Sequence, residues 1–395
     1  MSRLVLDPDR VVEEARAVGF QEAGVVARAE SEHVGHLERW LAADLHGEMG
    51  YLATFSAVER RADMRRTFPD FASAVVVAHS YADDEPSSSP DDPSRAIVAR
   101  YARGRDYHGV VAEGLEDLAR RLQTLAGRPL RHLGYADTGP LMERELAMRA
   151  GIGWFGKNTL LIDPRGGSYF FLGVLLTDLE LEPSAPFERE HCGSCRSCLD
   201  ACPTGALLGR DERGAPVMDA SRCISYLTIE LRGPIPEALR PAIGNRVFGC
   251  DICQEVCPWN HRFSAPTDET EYMSTPGGPN GRSLLALAAE LLDISGKAFL
   301  RRYRDSPLSR PRRNGMLRNV CVALGNWGSD EARPLLERAA RDHSPLVREH
   351  AEWALARLAG TPYTASDRAR TDPVALPLAR SRAAPGNTSP DRVYR

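Results

Sequence analysis

The chain has 395 residues, a formal net charge of -4 and 26 % charged residues. That length buries a full core and predicts two or three domains, while the near-neutral balance excludes a chain-wide nucleic-acid surface and leaves room only for a local patch. No apolar run approaches the ~18 residues needed to span a bilayer, and the opening MSRLVLDPDRVVEEA lacks the basic flank and apolar run of a signal peptide, so a cytosolic protein is expected.

In chain order, DPDRVVEEARAVGF has an acidic start and a period near 3.6 and reads as a helix, whereas AGVVARA and ASAVVVAHSY read as strands. The stretch from Ala82 to Arg95, ADDEPSSSPDDPSR, has the composition of an exposed loop. VVAEGLEDLARRLQTLAG is an amphipathic helix, RHLGYADTGP a strand and turn, and SYFFLGVLLTDLEL a buried strand. These patterns predict an α+β chain whose N-terminal α/β domain spans 1–185. A cysteine-rich domain at 186–262 follows. From 281 to 360 the pattern is helical, and LRNVCVALGNWG is echoed by VREHAEWALARLAG, which suggests paired helices of the HEAT type that must pack on the preceding domain. The segment 361–395 has five prolines, six arginines against three aspartates and no periodicity, and reads as disordered.

Nine cysteines are present, eight of them between Cys192 and Cys257. In a reducing cytosol they are poor candidates for disulfides, so metal ligation or redox chemistry gains weight. HCGSCRSCLDACPTGAL carries Cys192, Cys195, Cys198 and then Cys202 before a proline. In two-cluster ferredoxins the fourth cysteine of such a run ligates the other cluster. A partner motif is therefore required, and FGCDICQEVCPWN supplies Cys250, Cys253 and Cys257, with one cysteine fewer than a ferredoxin half. Cys223 in RCISYLTIE fills the gap. The expected assignment is Cys192, Cys195, Cys198 and Cys257 on one 4Fe-4S cluster, and Cys202, Cys223, Cys250 and Cys253 on the other. Two zinc sites would also use CxxC pairs, but the interlocking Cys-Pro pattern favours clusters. Cys321, inside a helical pattern, reads as a core residue.

YADTGPLMERELAMRAGIGWFGKNTLLI, from Tyr135 to Ile162, combines glycines with Asp137, Glu143, Arg144, Lys157 and Asn158. Asp137 could equally cap the following helix, and GIGWFG is not a dinucleotide fingerprint because its glycines are wrongly spaced. RYARGRDYHGVV gathers Tyr101, Arg103, Arg105, Asp106, Tyr107 and His108. Together they suggest a pocket without naming its occupant. From Leu300, LRRYRDSPLSRPRRNGMLRNV holds seven arginines against one acidic residue, a basic patch suited to phosphates or else a solvated helix face.

Taken together, the 135–162 stretch, the two cysteine motifs and CISYLTIELRGPIP closely resemble the epoxyqueuosine reductases of tRNA queuosine synthesis, over roughly residues 8 to 360. The resemblance implies an oxidoreductase with cobalamin in the N-terminal domain, two 4Fe-4S clusters and a C-terminal HEAT-like domain that grips tRNA, an architecture shared in part with reductive dehalogenases. It implies that Asp137 is the proton donor and that Arg61, Tyr101, Lys157, Asn158, Ser225 and Asp251 contact cobalamin or line its pocket. The implied chemistry is attack on the epoxide by reduced cobalamin while Asp137 protonates the oxygen, which leaves as water. For that role burial beside apolar groups such as Leu141 is expected to raise the Asp137 pKa. Arg312, Arg313 and Arg348 are the expected tRNA contacts, with Trp154, Phe155 and Tyr226 as aromatic rings able to stack on a base or pack in the core. An unidentified electron donor and a monomeric state complete the expectation. A reductive dehalogenase acting on a small molecule would share the cofactors but normally carries an export signal, and an electron carrier fused to a repeat adaptor would show no turnover.

Overall fold

The computed structural model describes residues 6–83 and 92–360. Most of the Ala82–Arg95 loop and all of 361–395 lie outside the described residues.

In chain order the elements that position the site are α1 (Pro8–Ala17), β1 (Glu22–Val26), α2 (Phe55–Ala62), β2 (Ser73–Ser80), α3 (Tyr107–Ala126), β3 (His132–Tyr135), α4 (Glu143–Arg149), β4 (Phe170–Thr177), α5 (Leu284–Asp293), α6 (Arg312–Trp327), α7 (Arg333–Ala339) and α8 (Pro345–Gly360). The helix and strand patterns read from the sequence in the first half all coincide with elements of the chain.

The main sheet runs β1-β2-β4-β3. Every neighbouring pair is antiparallel, with Val25 opposite Val75, Val75 opposite Leu175 and Leu133 opposite Leu176. The main sheet is therefore antiparallel throughout, as in an α+β fold. β4, last in sequence, becomes an interior strand because β3 pairs along its free edge. Alternation along β2 serves two cores. Val75 and Val77 pack with Val11, Val111, Leu115, Leu118 and Leu175 under α1 and α3. Ala74, Val76 and Ala78 pack with Leu146, Ala147, Val174 and Leu176 against α4. Burial on both faces explains why β2 and β4 read as continuous apolar runs, each Val or Leu contributing about 1.5–3 kcal/mol.

The C-terminal helices form a third core that reaches back into the first half: Ala96, Val98, Val247 and Phe248 pack with Leu287, Leu317, Val320 and Cys321. A short parallel pair between Ile97–Val98 and Arg246–Phe248 makes the same junction. α6 is buried almost all round, so its polar residues need internal partners. Arg318, fully buried, donates to the carbonyls of Leu227 at 2.7 Å, Gly233 at 2.8 Å and Leu231 at 2.9 Å. Asn319 donates to Thr228 O at 2.7 Å and Val247 O at 2.9 Å. α6 thus holds the segment that carries Cys223 and Ser225. Gly325 permits the close crossing of α8, where a Cβ would stand 2.8 Å from the Trp353 ring.

Candidate active site: two cysteine cages and the Asp137 cleft

The eight motif cysteines separate into two groups of four. Cys198 has Cys192, Cys257 and Cys195 as its charged-state neighbours, and Cys257 has Cys192 and Cys195. Cys253 has Cys250, Cys223 and Cys202, and Cys223 has Cys202. The first group surrounds a cavity of about 210 Å³ lined also by Lys157, Asn158, His191 and Trp259. Local backbone explains the exchange of Cys202 and Cys257: each precedes a proline, which disfavours helix, and each is extended, with φ/ψ of -68°/110° and -76°/121°. Gly249, at φ +70°, brings the second CxxC loop against Ala99, where a Cβ would lie 2.6 Å from the alanine methyl.

Burial pushes the Cys198 thiol up to about 11 and the Cys250 thiol up to about 12. A bound iron centre reverses this, because its positive charge stabilises thiolates. Among the described residues, no group of three or more His, Cys, Asp or Glu converges as a site for a single metal ion.

Asp137 lies beyond the end of β3, at φ +60°, with its backbone N–H donating to Glu143 Oε1 at 2.7 Å. Tyr107 Oη donates to Asp137 Oδ2 at 2.9 Å, and His108 Nε2 stands 3.7 Å from the same oxygen. The Asp137 side chain is 69 % exposed, so the carboxylate faces an open cleft. The expectation of a raised pKa is overturned: His108 foremost and Tyr107 as well hold Asp137 below the usual carboxylate range against the opposing effect of burial, and no apolar neighbour outweighs them. The raised acid is Glu143, which burial and the adjacent Asp137 push up to about 8. His108 is pushed up to about 9: burial opposes its charge, but Asp106 and Asp137 favour it more strongly.

Tyr101 joins the cleft to the second cage. Partly buried, its ring stands 6.1 Å from both the Tyr107 and the Phe248 rings, and burial, then Asp137 and Asp251, raise its pKa. Asp251, between Cys250 and Cys253, accepts from Arg100 N at 2.7 Å and is pushed up to about 6 by burial. Ser225 donates to the Cys223 sulfur. Arg61 donates to Ala57 O at 3.1 Å and faces Tyr51 and Glu143, so α2 borders the cleft. Lys157 and Asn158 lie elsewhere, on the cages. Lys157 Nζ donates to Gly193 O at 2.6 Å and Cys195 O at 2.9 Å, and Asn158 donates to Cys253 O at 3.5 Å. Their polar groups hold the cluster loops. The polar groups beside the exposed Asp137 carboxylate, Tyr107, His108 and Glu143, with Arg61 on the bordering helix, form a donor set that suits a large polar cofactor.

Of the seven arginines in the expected basic patch, Arg313 and Arg318 are buried and the other five are exposed. Arg313 pairs with Asp342 at 2.7 Å and donates to Leu291 O and Ile294 O at 2.9 Å, so it has no access to a phosphate. Arg310 makes two bonds to Glu230 at 2.9 and 3.0 Å, Arg302 pairs with Glu290 and Arg304 with Asp305. Arg348 donates to Asp342 O and His343 O. Arg301 and Arg312 are exposed. Trp154 and Tyr226 are core rings, the first packed on Trp259 and the second accepting from Glu48 N at 2.7 Å. The exposed rings are instead Tyr51, 54 % exposed, and Phe55, 78 % exposed. Tyr51 has Glu230, Arg310, Asp137 and Arg61 around its hydroxyl, so this segment stands at the cleft. Sequence patterns contained no sign of it, because exposure of a ring is a tertiary property.

Comparison with known proteins bears on the whole arrangement. Residues 61–138 match the family described as epoxyqueuosine reductase QueG, DUF1730, residues 191–260 the 4Fe-4S double cluster binding domain, and residues 315–384 HEAT repeats. An epoxyqueuosine reductase of Pseudomonas aeruginosa is 43 % identical over 89 % of this chain and 95 % of its own, and that of Escherichia coli 38 % over 86 % of each. A crystal structure of an epoxyqueuosine reductase with a tRNA-Tyr epoxyqueuosine-modified stem loop superposes with a TM-score of 0.76 at 31 % identity, covering 89 % of both chains. With two cysteine cages, the Asp137 cleft and relatives of this similarity along nearly its whole length, the chain belongs to the epoxyqueuosine reductase family.

Proposed function

We propose that this chain reduces epoxyqueuosine to queuosine at the wobble position of tRNA, with two 4Fe-4S clusters as the electron path and a cobalamin in the Asp137 cleft. The observation that carries the reading is the junction of cleft and cage: the Tyr101 ring packs against Tyr107, whose hydroxyl holds Asp137, and against Phe248, two residues before Cys250. Removing the epoxide oxygen as water consumes two electrons and two protons per turnover. Clusters pass electrons singly, and cobalamin when bound supplies a low-valent metal able to accumulate them and engage carbon. Arg61, Tyr101, Ser225 and Asp251 would hold it.

The chain's own residues handle the proton. Asp137 presents a carboxyl oxygen to the cleft, Tyr107 fixes its orientation, and the neutral Glu143 beneath anchors its backbone. The anticodon loop would meet Tyr51 and Phe55, whose faces can stack on unpaired bases, while Arg312 contacts a phosphate. The tRNA stem loop in the related crystal structure supports this class of partner. We place the chain in the cytoplasm as a monomer fed by a separate one-electron donor; no helix among the described residues is long and apolar enough to cross a membrane.

The test is anaerobic incubation of reconstituted protein with epoxyqueuosine-containing tRNA, cobalamin and a strong reductant, followed by nucleoside mass spectrometry. Queuosine should accumulate only with all components present. Failure of the iron- and cobalamin-loaded protein to convert the nucleoside would overturn the reading.

A further inference from the structure

Two protons per turnover are more than one carboxyl can carry, and Asp137 is held as a carboxylate by its neighbours. The first turn of α3 supplies a second carrier. Asp106 Oδ1 accepts from His108 N at 3.1 Å as the helix cap and contacts His108 Nδ1 at 2.6 Å, so one carboxylate fixes both the backbone and the ring. The other ring nitrogen, Nε2, points to Asp137 Oδ2 at 3.7 Å. Tyr107 stacks on the His108 ring at 4.1 Å and on Phe171 at 4.2 Å, which leaves the imidazole little freedom to turn away. Side chains of Asp106 and His108 are each 32 % exposed, so the far end of the line reaches water.

We propose that Asp106, His108 and Asp137 form a proton-delivery line, in which His108 recharges Asp137 from solvent during epoxide reduction. The inference rests on the functional reading above. His108 acts through Asp137 and is a positioning residue. In the step, the Nε2–H bond of the imidazolium breaks and an O–H bond forms on Asp137. The Nδ1–H bond is kept, directed at Asp106, and Nε2 then takes a proton from solvent water, the hydroxide passing to the bulk; no electrons move. A separation of 3.7 Å is an ion-pair distance in the ligand-free chain, of the kind that tightens when substrate closes the site. The groups facing the line are Asp106 and, from the β3–α4 segment, Asp137, Glu143 and Arg144; Arg105 faces Asp106, and Arg310 faces Asp137 from beyond α5. The two groups that meet the ring itself are the Asp106 and Asp137 carboxylates, which keep it charged through neutral pH.

The experiment compares wild type, His108→Gln and Asp106→Asn as full-length proteins loaded with both clusters, by single-turnover conversion of an epoxyqueuosine stem loop across about pH 6 to 9. His108→Gln should slow conversion about tenfold or more, with a deficit that widens as pH rises and is partly restored by added imidazole. Stem-loop affinity and the cluster absorption should not change. Asp106→Asn should move the alkaline limb to lower pH. In histidine-labelled protein, Asp137→Asn should lower the NMR titration midpoint of His108, a readout independent of turnover. A pH profile that superimposes on wild type, a uniform loss without imidazole rescue, or a His108 midpoint indifferent to Asp137 would each overturn the line while the functional reading stands. A wild-type protein unable to make queuosine would overturn that reading, and the line's role with it.

Discussion

Tyr107 and Asp137 meet at 2.9 Å, the phenol donating to the carboxylate from the first turn of α3 to the loop after β3. The two residues lie thirty positions apart, and their contact places Asp137 among polar partners instead of an apolar wall. Asp137→Asn should retain both clusters and lose about 100-fold or more in single-turnover rate. Tyr107→Phe should lose less, since it frees the carboxylate without removing it. Full activity in Asp137→Asn would remove it from the chemistry.

Glu143 makes stability depend on pH. Its carboxyl, pushed up to about 8 in the folded chain, keeps its proton where an unfolded glutamate has released it. The folded state then binds more protons between the unfolded value and pH 8, so its contribution to stability falls as pH rises through that window. Glu143→Gln should flatten this dependence, with the variant gaining in Tm relative to wild type between about pH 5 and 8. Parallel Tm curves for the two proteins would show that Glu143 is ionised in the fold.

The quartets predict which centre each cysteine serves. Cys257→Ala should abolish the cluster of Cys192, Cys195 and Cys198 and spare the other, although Cys250 and Cys253 are its nearer neighbours in sequence. Cys223→Ala should do the reverse. Iron content should fall by half in each, and the two remaining spectra should differ in reduction potential. Identical residual spectra would contradict the exchange.

Adjacent arginines at the start of α6 should behave oppositely. Arg313→Ala removes the buried partner of Asp342 and leaves its carboxylate only Ser344 N and His343, at a cost of about 3–5 kcal/mol. Arg312→Glu should leave the Tm within about 1 kcal/mol of wild type and weaken tRNA binding, reducing its salt slope by about one. Equal Tm losses in the two variants would show that both are structural.

Phe55 is exposed enough to truncate without disturbing a core. Phe55→Ala should weaken stem-loop binding by about 1–3 kcal/mol, the range for loss of one stacked base, with no change in cluster content. Unchanged affinity would take α2 out of the tRNA surface.

Local patterns carried the elements far. The period of DPDRVVEEARAVGF and the apolar runs of β2 and β4 are consequences of short-range geometry, and each reappears in the structure. What a side chain meets is not legible in that way. Arg61 and Asp137 stand at one cleft, whereas Lys157 and Asn158, only twenty positions beyond Asp137, bond the cysteine loops. In the arginine-rich stretch a count of charges does not reveal their partners: Glu230, Glu290 and Asp342 are remote in sequence and pair with Arg310, Arg302 and Arg313 in space.

Sequence alone therefore determined the family, the strands and helices, and the need for eight thiolates in two sets, because those rest on residue type and spacing. Tertiary structure decided which acid is charged. Asp137 and Glu143 are both carboxylic acids six residues apart, but one receives Tyr107 and His108 from another helix while the other is enclosed with a like charge beside it, and only packing sets those fields.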